Sequence, residues 1–253
     1  MQAIWKGHIS FGLVSVPVSV YSATVERRVS FALLHEKDNS PIRYKRFCER
    51  EDAEVPREEI VRGFEYEKGE FVIVTNDDLA KVDVKLTKTI DIINFVKLDD
   101  IDPMWYDKPY YLEPQRGGEK SYVLLRQAME QTGFGGLSKT VLRNREHLGI
   151  VIPHGPMLLL QLLRFSDEVR DAAKLDVPDD VKIEKKQLDL AKELINKMAE
   201  EFRFEDYVDE YSAKLLEVVR KKARGKRVTV PKAPKAPPVK DLMDALKKSL
   251  KAA

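Results

Sequence analysis

The sequence predicts a mostly β domain with some helix over residues 1–180, built as a barrel or a sandwich. Two observations predict it. Short segments of alternating apolar and polar residues recur along this part of the chain, and turn-forming residues separate them at short intervals. After DVPDD at 176–180 the alternation gives way to helical periodicity, which predicts a small helical module over 181–224. Residues 225–253 form a basic tail rich in Pro, Lys and Ala.

The predicted strands begin near the N-terminus. In GLVSVPVSVYSAT the valines at positions 14, 16, 18 and 20 alternate with Ser, Pro and Tyr, which is the period of a half-buried strand. Pro17 has no N–H for a ladder, so we expect this strand at a sheet edge or with a bulge there. Further strands are predicted at 71–75, 89–98 and 108–114, with three more in 138–165 separated by turns near Arg145 and at 153–156.

Two helices are predicted between these strands. TNDDLAKV offers Thr75 or Asn76 as a cap, followed by two aspartates that suit the positive end of a helix dipole. SYVLLRQAMEQTG has helical spacing and stops at Gly133. The positions that carry this spacing are Val123, Leu124, Gln127, Ala128 and Gln131.

The helical module is predicted from two amphipathic faces. The first face consists of Leu188, Ala191, Leu194, Ile195, Met198 and Phe202, and the second of Tyr207, Val208, Tyr211, Leu215, Val218 and Val219. A short helix starting at Asp241 is predicted at the end of the tail. At about three turns it is too short to be stable alone in water, so we expect it to fold against another surface.

Charge is distributed unevenly along the chain. The formal net charge is +2, but the segment from Arg220 onward contains 12 Lys or Arg and two Asp, which leaves about −8 on the first 219 residues. A basic tail on an acidic body predicts a polyanionic partner, although such a tail can also serve solubility alone. No apolar run has the length of a membrane span, and MQAIWKGHIS lacks the apolar core of a secretory signal. We therefore expect a soluble cytoplasmic protein.

Residues for catalysis or metal binding do not form a recognisable pattern. The four histidines are scattered, and neither a phosphate-binding loop nor a nucleophile elbow is present. Cys48 is the single cysteine, and Glu49, Arg50 and Glu51 follow it without a second cysteine. The prediction is a protein that is not an enzyme and that needs no cofactor and no metal.

The segment 27–70 is heavily charged and carries few apolar residues. Alternation in PIRYKRFCER puts Ile42, Tyr44 and Arg46 on one face and Arg43, Lys45 and Phe47 on the other, so neither face can enter a core without burying charge. Such a segment must project as an arm, and a leg of about 15 residues reaches roughly 50 Å. Two interpretations stay open. The arm is a surface hairpin with solvated charges, or its cations meet phosphates while its aromatic rings pack against a neighbour.

Several blocks in order resemble the bacterial Ku proteins, over about residues 1–220. The blocks are AIWKGHISFGLVSVPVSVYSAT (3–24), HEKDNSPIRYKRFCE (35–49), EFVIVTNDDLAKV (70–82), IDIINFV (90–96), DIDPMWYDKPYYLEP (100–114), KSYVLLRQAM (120–129), TVLRNREHLGIV (140–151) and FSDEVRD (165–171). The resemblance implies a β-barrel core with a projecting bridge arm, two copies of which close a homodimeric ring around broken double-stranded DNA ends without base specificity. It further implies a role in non-homologous end joining and a C-terminal helical module that recruits the multifunctional ATP-dependent DNA ligase.

The resemblance also assigns residues. It makes 27–70 the bridge, with Arg43, Lys45 and Arg46 facing DNA and Arg27 and Arg28 in the same set. Further DNA contacts are expected from Lys6, Arg143 and Arg145, where a solvated turn is the alternative for the two arginines, and from the tail residues Lys221, Lys222, Arg224, Lys226 and Arg227. The predicted ligase-binding residues are Leu194, Met198, Tyr207, Tyr211 and Leu215.

Other expectations separate this chain from its relatives and from competing functions. Many relatives carry a CxxC in the bridge, some resembling zinc ribbons, so the lone Cys48 predicts no zinc here. His8 is expected to pack in the barrel, and Trp5 and Trp105 are expected in the core or the dimer interface. The competing functions are a chromatin-like protein that coats duplex DNA and an acidic adaptor that binds proteins. The expected location is the cytoplasm, in association with the nucleoid.

Overall fold

The computed structural model describes residues 1–81, 88–142, 145–178, 181–225 and 242–252. The chain divides into two compact units, residues 1–26 with 32–171 and residues 27–31 with 172–253. In the described ranges the strands are β1 (Trp5–Phe11), β2 (Val14–Ser22), β3 (Phe47–Cys48), β4 (Ala53–Glu54), β5 (Arg62–Glu67), β6 (Glu70–Val74), β7 (Thr89–Lys97), β8 (Tyr106–Pro114), β9 (Phe134–Leu142), β10 (Arg145–His154) and β11 (Met157–Leu163). The helices are α1 (Asn76–Lys81), α2 (Glu119–Thr132), α3 (Lys185–Met198), α4 (Glu210–Ala223) and α5 (Leu242–Ala252).

Seven of these strands close a barrel in the order β1-β2-β8-β11-β10-β9-β7. Closure is made by a short parallel pairing of β1 with β7, His8 opposite Thr89 to Ser10 opposite Asp91, while the other neighbours are antiparallel. Gly7 allows this seam to form, since a Cβ there would lie 2.2 Å from the carbonyl oxygen of Lys88 and 2.2 Å from Cη2 of Trp5. The predicted barrel is confirmed, and the sandwich alternative is wrong.

The barrel core follows the alternation seen in the sequence. Val16, Val18 and Val20 of β2 are buried, because every second side chain of a strand faces the same side. They pack in one apolar cluster with residues from the other strands and from α2. Trp5 is half-buried against this cluster, as expected of a core aromatic residue, whereas Trp105 is exposed.

The predicted place of Pro17 at a sheet edge or bulge is wrong. Strand β2 is an internal strand of the barrel sheet, with β1 on one side and β8 on the other. Pro17 sits opposite His8 of β1, and pairing with β8 begins only at Val18. The proline therefore precedes the β8 ladder and breaks no pair with it. Its carbonyl oxygen still accepts a hydrogen bond from the backbone N–H of Gln115, at 2.9 Å.

Helix α2 forms where the sequence predicts it and ends at Gly133, whose φ of 71° is the left-handed conformation that glycine adopts readily. Its buried face is different from the apolar spacing noted in the sequence, since Tyr122, Leu125 and Met129 are buried while Val123 and Leu124 are exposed. The buried Tyr122 hydroxyl donates to the carbonyl oxygen of Leu112 at 2.5 Å and accepts from the N–H of Leu158 at 2.6 Å. These two bonds fasten the helix to β8 and β11.

The segment between β2 and β7 contributes no strand to the barrel in its described part. It holds two small hairpins, β3–β4 and β5–β6, and an isolated bridge between Leu34 and Pro41. Within PIRYKRFCER only Phe47–Cys48 pairs with a neighbouring strand, so the two-faced alternation considered for this segment is not continued along it. None of the side chains described between 30 and 81 is buried, and only three are half-buried. The predicted arm has the bounds 27–70, but residues 27–31 group with the second unit and strand β6 runs to Val74, so from here on the name arm means residues 32–75.

Three helices, α3, α4 and α5, account for most of the described residues of the second unit. Helix α3 ends at Met198, so the predicted helical face is wrong at Phe202, which lies in the extended connection to α4. Helix α5 forms over Leu242–Ala252 and packs against α3, while the predicted starting residue Asp241 lies outside the described residues. None of the helices in the described ranges combines the length and the apolar character that crossing a membrane requires.

Candidate nucleic-acid interface

The arm cations differ in how they are held. Arg43 and Arg46 are exposed, and their guanidinium groups make no ion pair with any residue in the described part of the chain. Lys45 is also exposed, but its Nζ lies 2.5 Å from Oε2 of Glu54 on the opposite side of the β3–β4 hairpin. A solvent-exposed ion pair stabilises by about 0–1 kcal/mol, so an incoming phosphate could replace Glu54. Two of the three predicted arm cations are therefore free for an anion, and the third is already compensated.

A tight turn places these cations. The carboxylate of Asp38 accepts hydrogen bonds from the backbone N–H of Ser40 at 3.0 Å and from its hydroxyl at 2.7 Å, and it lies 3.0 Å from Nδ1 of His35. These donors, the Ser40 hydroxyl foremost, hold the pKa of Asp38 below its usual value. The turn closes at the Leu34–Pro41 bridge, two residues before Arg43. Local chemistry of short polar residues thus sets where the cationic stretch begins.

Apolar side chains are uncovered along the same arm. Tyr44 is 83% exposed, and on the β5–β6 hairpin Phe64 and Phe71 are each 63% exposed. Other exposed apolar residues of the arm are Leu33, Leu34, Ile42, Phe47, Ile60, Val61, Tyr66, Val72 and Ile73. So many exposed apolar side chains within one segment are typical of an interaction surface.

Sequence reasoning missed the first strand of the β5–β6 hairpin. Only FVIVT was predicted as a strand, while the structure pairs Arg62 with Val74 and continues to Glu67 with Glu70. The signal was present in the alternation of FEYE before the turn residues Lys68 and Gly69. Gly69 has a φ of 85°, the left-handed conformation that a tight hairpin turn requires.

The barrel cations predicted to contact DNA are only partly described. Lys6 is exposed on β1. The expectation that His8 packs in the barrel is wrong, because the inward positions of β1 belong to Gly7 and Ile9 and alternation turns His8 outward. Arg145 begins β10 and forms an exposed ion pair with Glu168, with 2.9 Å between Nη2 and Oε1. Arg143 lies outside the described residues.

Other cations of the barrel, Arg126 and Arg164, are held by contacts within the fold. Arg126 of α2 pairs with Glu130 at 2.6 Å and donates to the carbonyl oxygen of Gly155 at 3.2 Å. Arg164 donates to the carbonyl oxygen of Tyr106 and lies 3.3 Å from a carboxylate oxygen of Asp107. These contacts hold loops and strand ends in place. Compared with these two residues, the free arginines of the arm are therefore better placed to bind an external phosphate.

The predicted contacts in the second unit are exposed where they are described. Arg27 and Arg28 are exposed and group with this unit. Lys221 pairs with Glu217 at 2.5 Å, and Lys222 and Arg224 are exposed at the end of α4. A basic last turn also interacts favourably with the negative end of the helix dipole, so these cations have a structural role that does not depend on DNA. Lys226 and Arg227 lie outside the described residues.

The predicted ligase-binding residues fall into two groups. Met198, Tyr207 and Tyr211 are exposed, and Leu194 and Leu215 are half-buried. The loop between α3 and α4 adds two phenylalanines that the predicted set omits, since Phe202 stacks on Tyr207 at a centroid distance of 5.5 Å and Phe204 meets Phe202 edge-on at 6.3 Å. Phe202 was assigned to a helical face, so its place in a loop cluster was not foreseen.

Among the described residues, no three His, Cys, Asp or Glu side chains come together as a metal site requires. Cys48 is a half-buried free thiol on the arm.

On β10, burial lowers the pKa of His147, and the positive charge of Arg145 lowers it further. His147 is therefore disposed to be neutral at neutral pH.

Comparison with known proteins agrees with this architecture. A family model described as the Ku70/Ku80 beta-barrel domain matches residues 10–190. A protein named "Non-homologous end joining protein Ku" from Opitutus terrae is 42% identical over 254 residues, covering 99% of this chain and 91% of that protein. Proteins of the same name are 40% identical in Archaeoglobus fulgidus, covering 100% of this chain and 99% of the relative, and 38% identical in Coxiella burnetii, covering 98% and 94%.

The family match includes most of the barrel, and the relatives match along the whole chain, through the arm, the helical module and the tail. With a closed seven-stranded barrel interrupted by an exposed arm, and with full-length relatives at this identity, the chain belongs to the Ku family.

Proposed function

We propose that this protein is a homodimeric ring that binds double-stranded DNA ends without sequence specificity and recruits the multifunctional ATP-dependent DNA ligase for non-homologous end joining. It acts in the cytoplasm, at the nucleoid, and performs no catalysis itself. Its relatives carry end joining in their name. The single observation that carries the proposal is the arm, which combines free arginines with uncovered apolar surface.

The apolar surface of the arm supports the homodimer. An arm with no buried side chain between 30 and 81, among those described, gains little stability from its own contacts. Phe64, Phe71 and Tyr44 are aromatic, the residue class that is enriched where proteins meet proteins. A second copy would cover these rings and would bring its own arm alongside, which is what closing a ring needs.

The cations support binding that ignores base sequence. Arg43 and Arg46 present planar guanidinium groups that can each hold a phosphate through two hydrogen bonds. Contacts to phosphate fix the position of a duplex without reading its bases. Bases remain stacked inside a duplex end, so binding of this kind does not require the exposed aromatic rings to stack on bases.

The helical module supports a protein partner. Tyr207 and Tyr211 are each more than 70% exposed, and Phe202 beside them is 72% exposed. Exposed tyrosines and phenylalanines in one small region form the kind of anchor on which binding energy concentrates. We assign the ligase to this surface, which comprises α3 from Leu194 to its C-terminal end, the loop cluster and the first two turns of α4.

The test is a competition assay on one labelled linear duplex. Competitor DNA of the same sequence is added in linear form or as a covalently closed circle. We expect linear DNA to displace the protein and the closed circle to fail, because a ring must thread over an end. Equal competition by both forms would contradict the ring and favour the alternative function, a chromatin-like protein that coats duplex DNA. Absence of DNA binding at moderate salt would favour the other alternative, an adaptor that binds proteins.

A further inference from the structure

The terminal helix α5 occupies one side of α3 within the second unit. Met243, Leu246 and Leu250 recur at helical spacing and are half-buried, whereas Lys247 and Lys248 are exposed. On α3 the residues with reduced exposure also lie on one face, namely Gln187, Leu190, Ala191 and Leu194. Because the two helices pack against each other, these faces form the contact.

A polar contact adds to the apolar one. The Nζ of Lys197 on α3 donates to the carbonyl oxygen of Leu250, at 2.7 Å. Leu250 lies in the last turn of α5, where carbonyl oxygens have no partner within the helix. Lys197 therefore caps α5 from a neighbouring element, which suits a docked helix and not one that is solvated on all sides.

The docked helix is nevertheless short and tethered. A helix of 11 residues is marginal in water without a surface to pack on. Sixteen residues separate Gly225 at the end of α4 from Leu242 at the start of α5. A helix held this way can leave its site and return without the chain dissociating, because the tether keeps its local concentration high.

We propose that α5 is a built-in competitor for the ligase at the α3 surface. This inference rests on the proposed recruitment of the ligase by the helical module. Leu194 belongs to the predicted ligase-binding set, and it is on the α3 face that α5 covers, while Met198 at the end of the same helix stays 64% exposed. The partner that fits is an amphipathic helix with Leu or Met at the spacing of Met243, Leu246 and Leu250. The ligase displaces α5 when it supplies such a helix.

The size of the effect follows from the tether. We take a local concentration of α5 of about 1 mM and an intrinsic dissociation constant of roughly 100 μM to 1 mM for so short a helix. With these values α5 occupies its site on α3 in about 50–90% of the molecules. The ligase then binds only the uncovered fraction, so releasing α5 should tighten its apparent affinity about 2- to 10-fold.

The experiment uses two substitutions in the full-length chain. Leu246→Asp places a charge on the half-buried face of α5, and Ser249→Asp places the same charge on an exposed position of the same helix as the matched control. Hydrogen–deuterium exchange of residues 242–252 reports docking, and titration with the ligase from the same organism reports affinity. Neither substitution touches α3, so the ligase surface itself is unchanged.

We expect Leu246→Asp to remove the exchange protection of α5 and to tighten ligase binding about 2- to 10-fold, while Ser249→Asp behaves as the parent protein. Loss of protection with unchanged or weaker ligase binding would overturn the competition but leave recruitment standing. Absence of ligase binding by all three proteins would instead refute recruitment and the competition that depends on it. Protection that persists in Leu246→Asp would show that the α5 contact does not depend on this face, which also overturns the inference.

Discussion

The barrel and the arm belong to one compact unit but differ in how they bury apolar side chains and pair their strands. The barrel buries a continuous cluster of Val, Ile and Leu and pairs each of its seven strands on both sides, so its stability comes from its own sequence. The arm exposes Phe64, Phe71 and Tyr44 and pairs its strands only in short hairpins. Apolar residues that the barrel would bury are left in water on the arm. The arm sequence is therefore adapted to surfaces outside this chain.

The largest expected effect is in the barrel. Leu160 of β11 is fully buried, so Leu160→Ala should lower the free energy of unfolding by about 2–5 kcal/mol, because apolar burial is removed and a cavity is left behind. Urea denaturation followed by circular dichroism measures it. Phe64→Ala on the arm removes a larger side chain, yet it should change the urea midpoint of the dissociated monomer little, because Phe64 is exposed in the single chain. Equal destabilisation by the two variants would remove the contrast between barrel and arm.

The second effect is on association. Replacing Phe64 and Phe71 together by serine should raise the dissociation constant of the homodimer about 100-fold, since aromatic anchors dominate interface energy. Sedimentation equilibrium measures this constant. The control is Leu13→Ser, because Leu13 is fully exposed in the β1–β2 turn of the barrel and is not part of the arm hairpin. A control that dissociates as readily as the double variant would contradict the assignment of the interface to the arm.

The third effect separates the three arm cations. Arg43→Ala and Arg46→Ala should each weaken DNA-end binding and reduce the salt slope by about 0.9 for each phosphate that the variant no longer neutralises. Lys45→Ala should weaken binding less, because Lys45 is compensated by Glu54 before DNA arrives. Binding isotherms at several salt concentrations provide the slope. Lys68→Ala, at the hairpin turn and outside the predicted DNA set, is the control. An identical slope for the parent and for both arginine variants would show that these residues do not meet phosphate.

The smallest effect concerns pH and lies in the barrel. The pKa of His147 is lowered from 6.5, mainly by burial, so the folded state binds this proton less readily than the unfolded state. Stability from this group is therefore complete above the unfolded pKa and declines as pH falls below about 6.5. His147→Gln should reduce the decline in stability between about pH 7.5 and 5.5, measured as the difference in urea midpoints. A pH dependence identical to that of the parent would exclude His147 as a contributor.

Much of the barrel could be predicted from local pattern. The alternation of Val16, Val18 and Val20 indicated a strand with one buried face, and Gly133 indicated the end of α2. Local pattern failed where the neighbour of an element mattered. His8 is exposed because the β1 positions on either side of it face inward, and Pro17 is tolerated in an internal strand because pairing with β8 starts one residue later. Neither fact can be inferred from a residue and its immediate neighbours.

The candidate interface shows the same division. The sequence placed Arg43, Lys45 and Arg46 on a segment too charged to be buried, and all three are exposed. It did not distinguish among them, because the pairing of Lys45 with Glu54 depends on a hairpin that brings residues nine apart together. It also left open what the terminal helix packs against, and the structure places that helix on α3.

Periodicity, charge and local motifs are properties of adjacent residues, so the sequence was sufficient to predict most of the strands and helices, the charged arm, the helical module and the family. The tertiary structure alone decided the closure of the barrel through β1 and β7, the pairing that removes Lys45 from the free cations, and the docking of α5. Each of these joins residues through space, and the free energy of such a contact depends on geometry that the order of residues along the chain does not reveal.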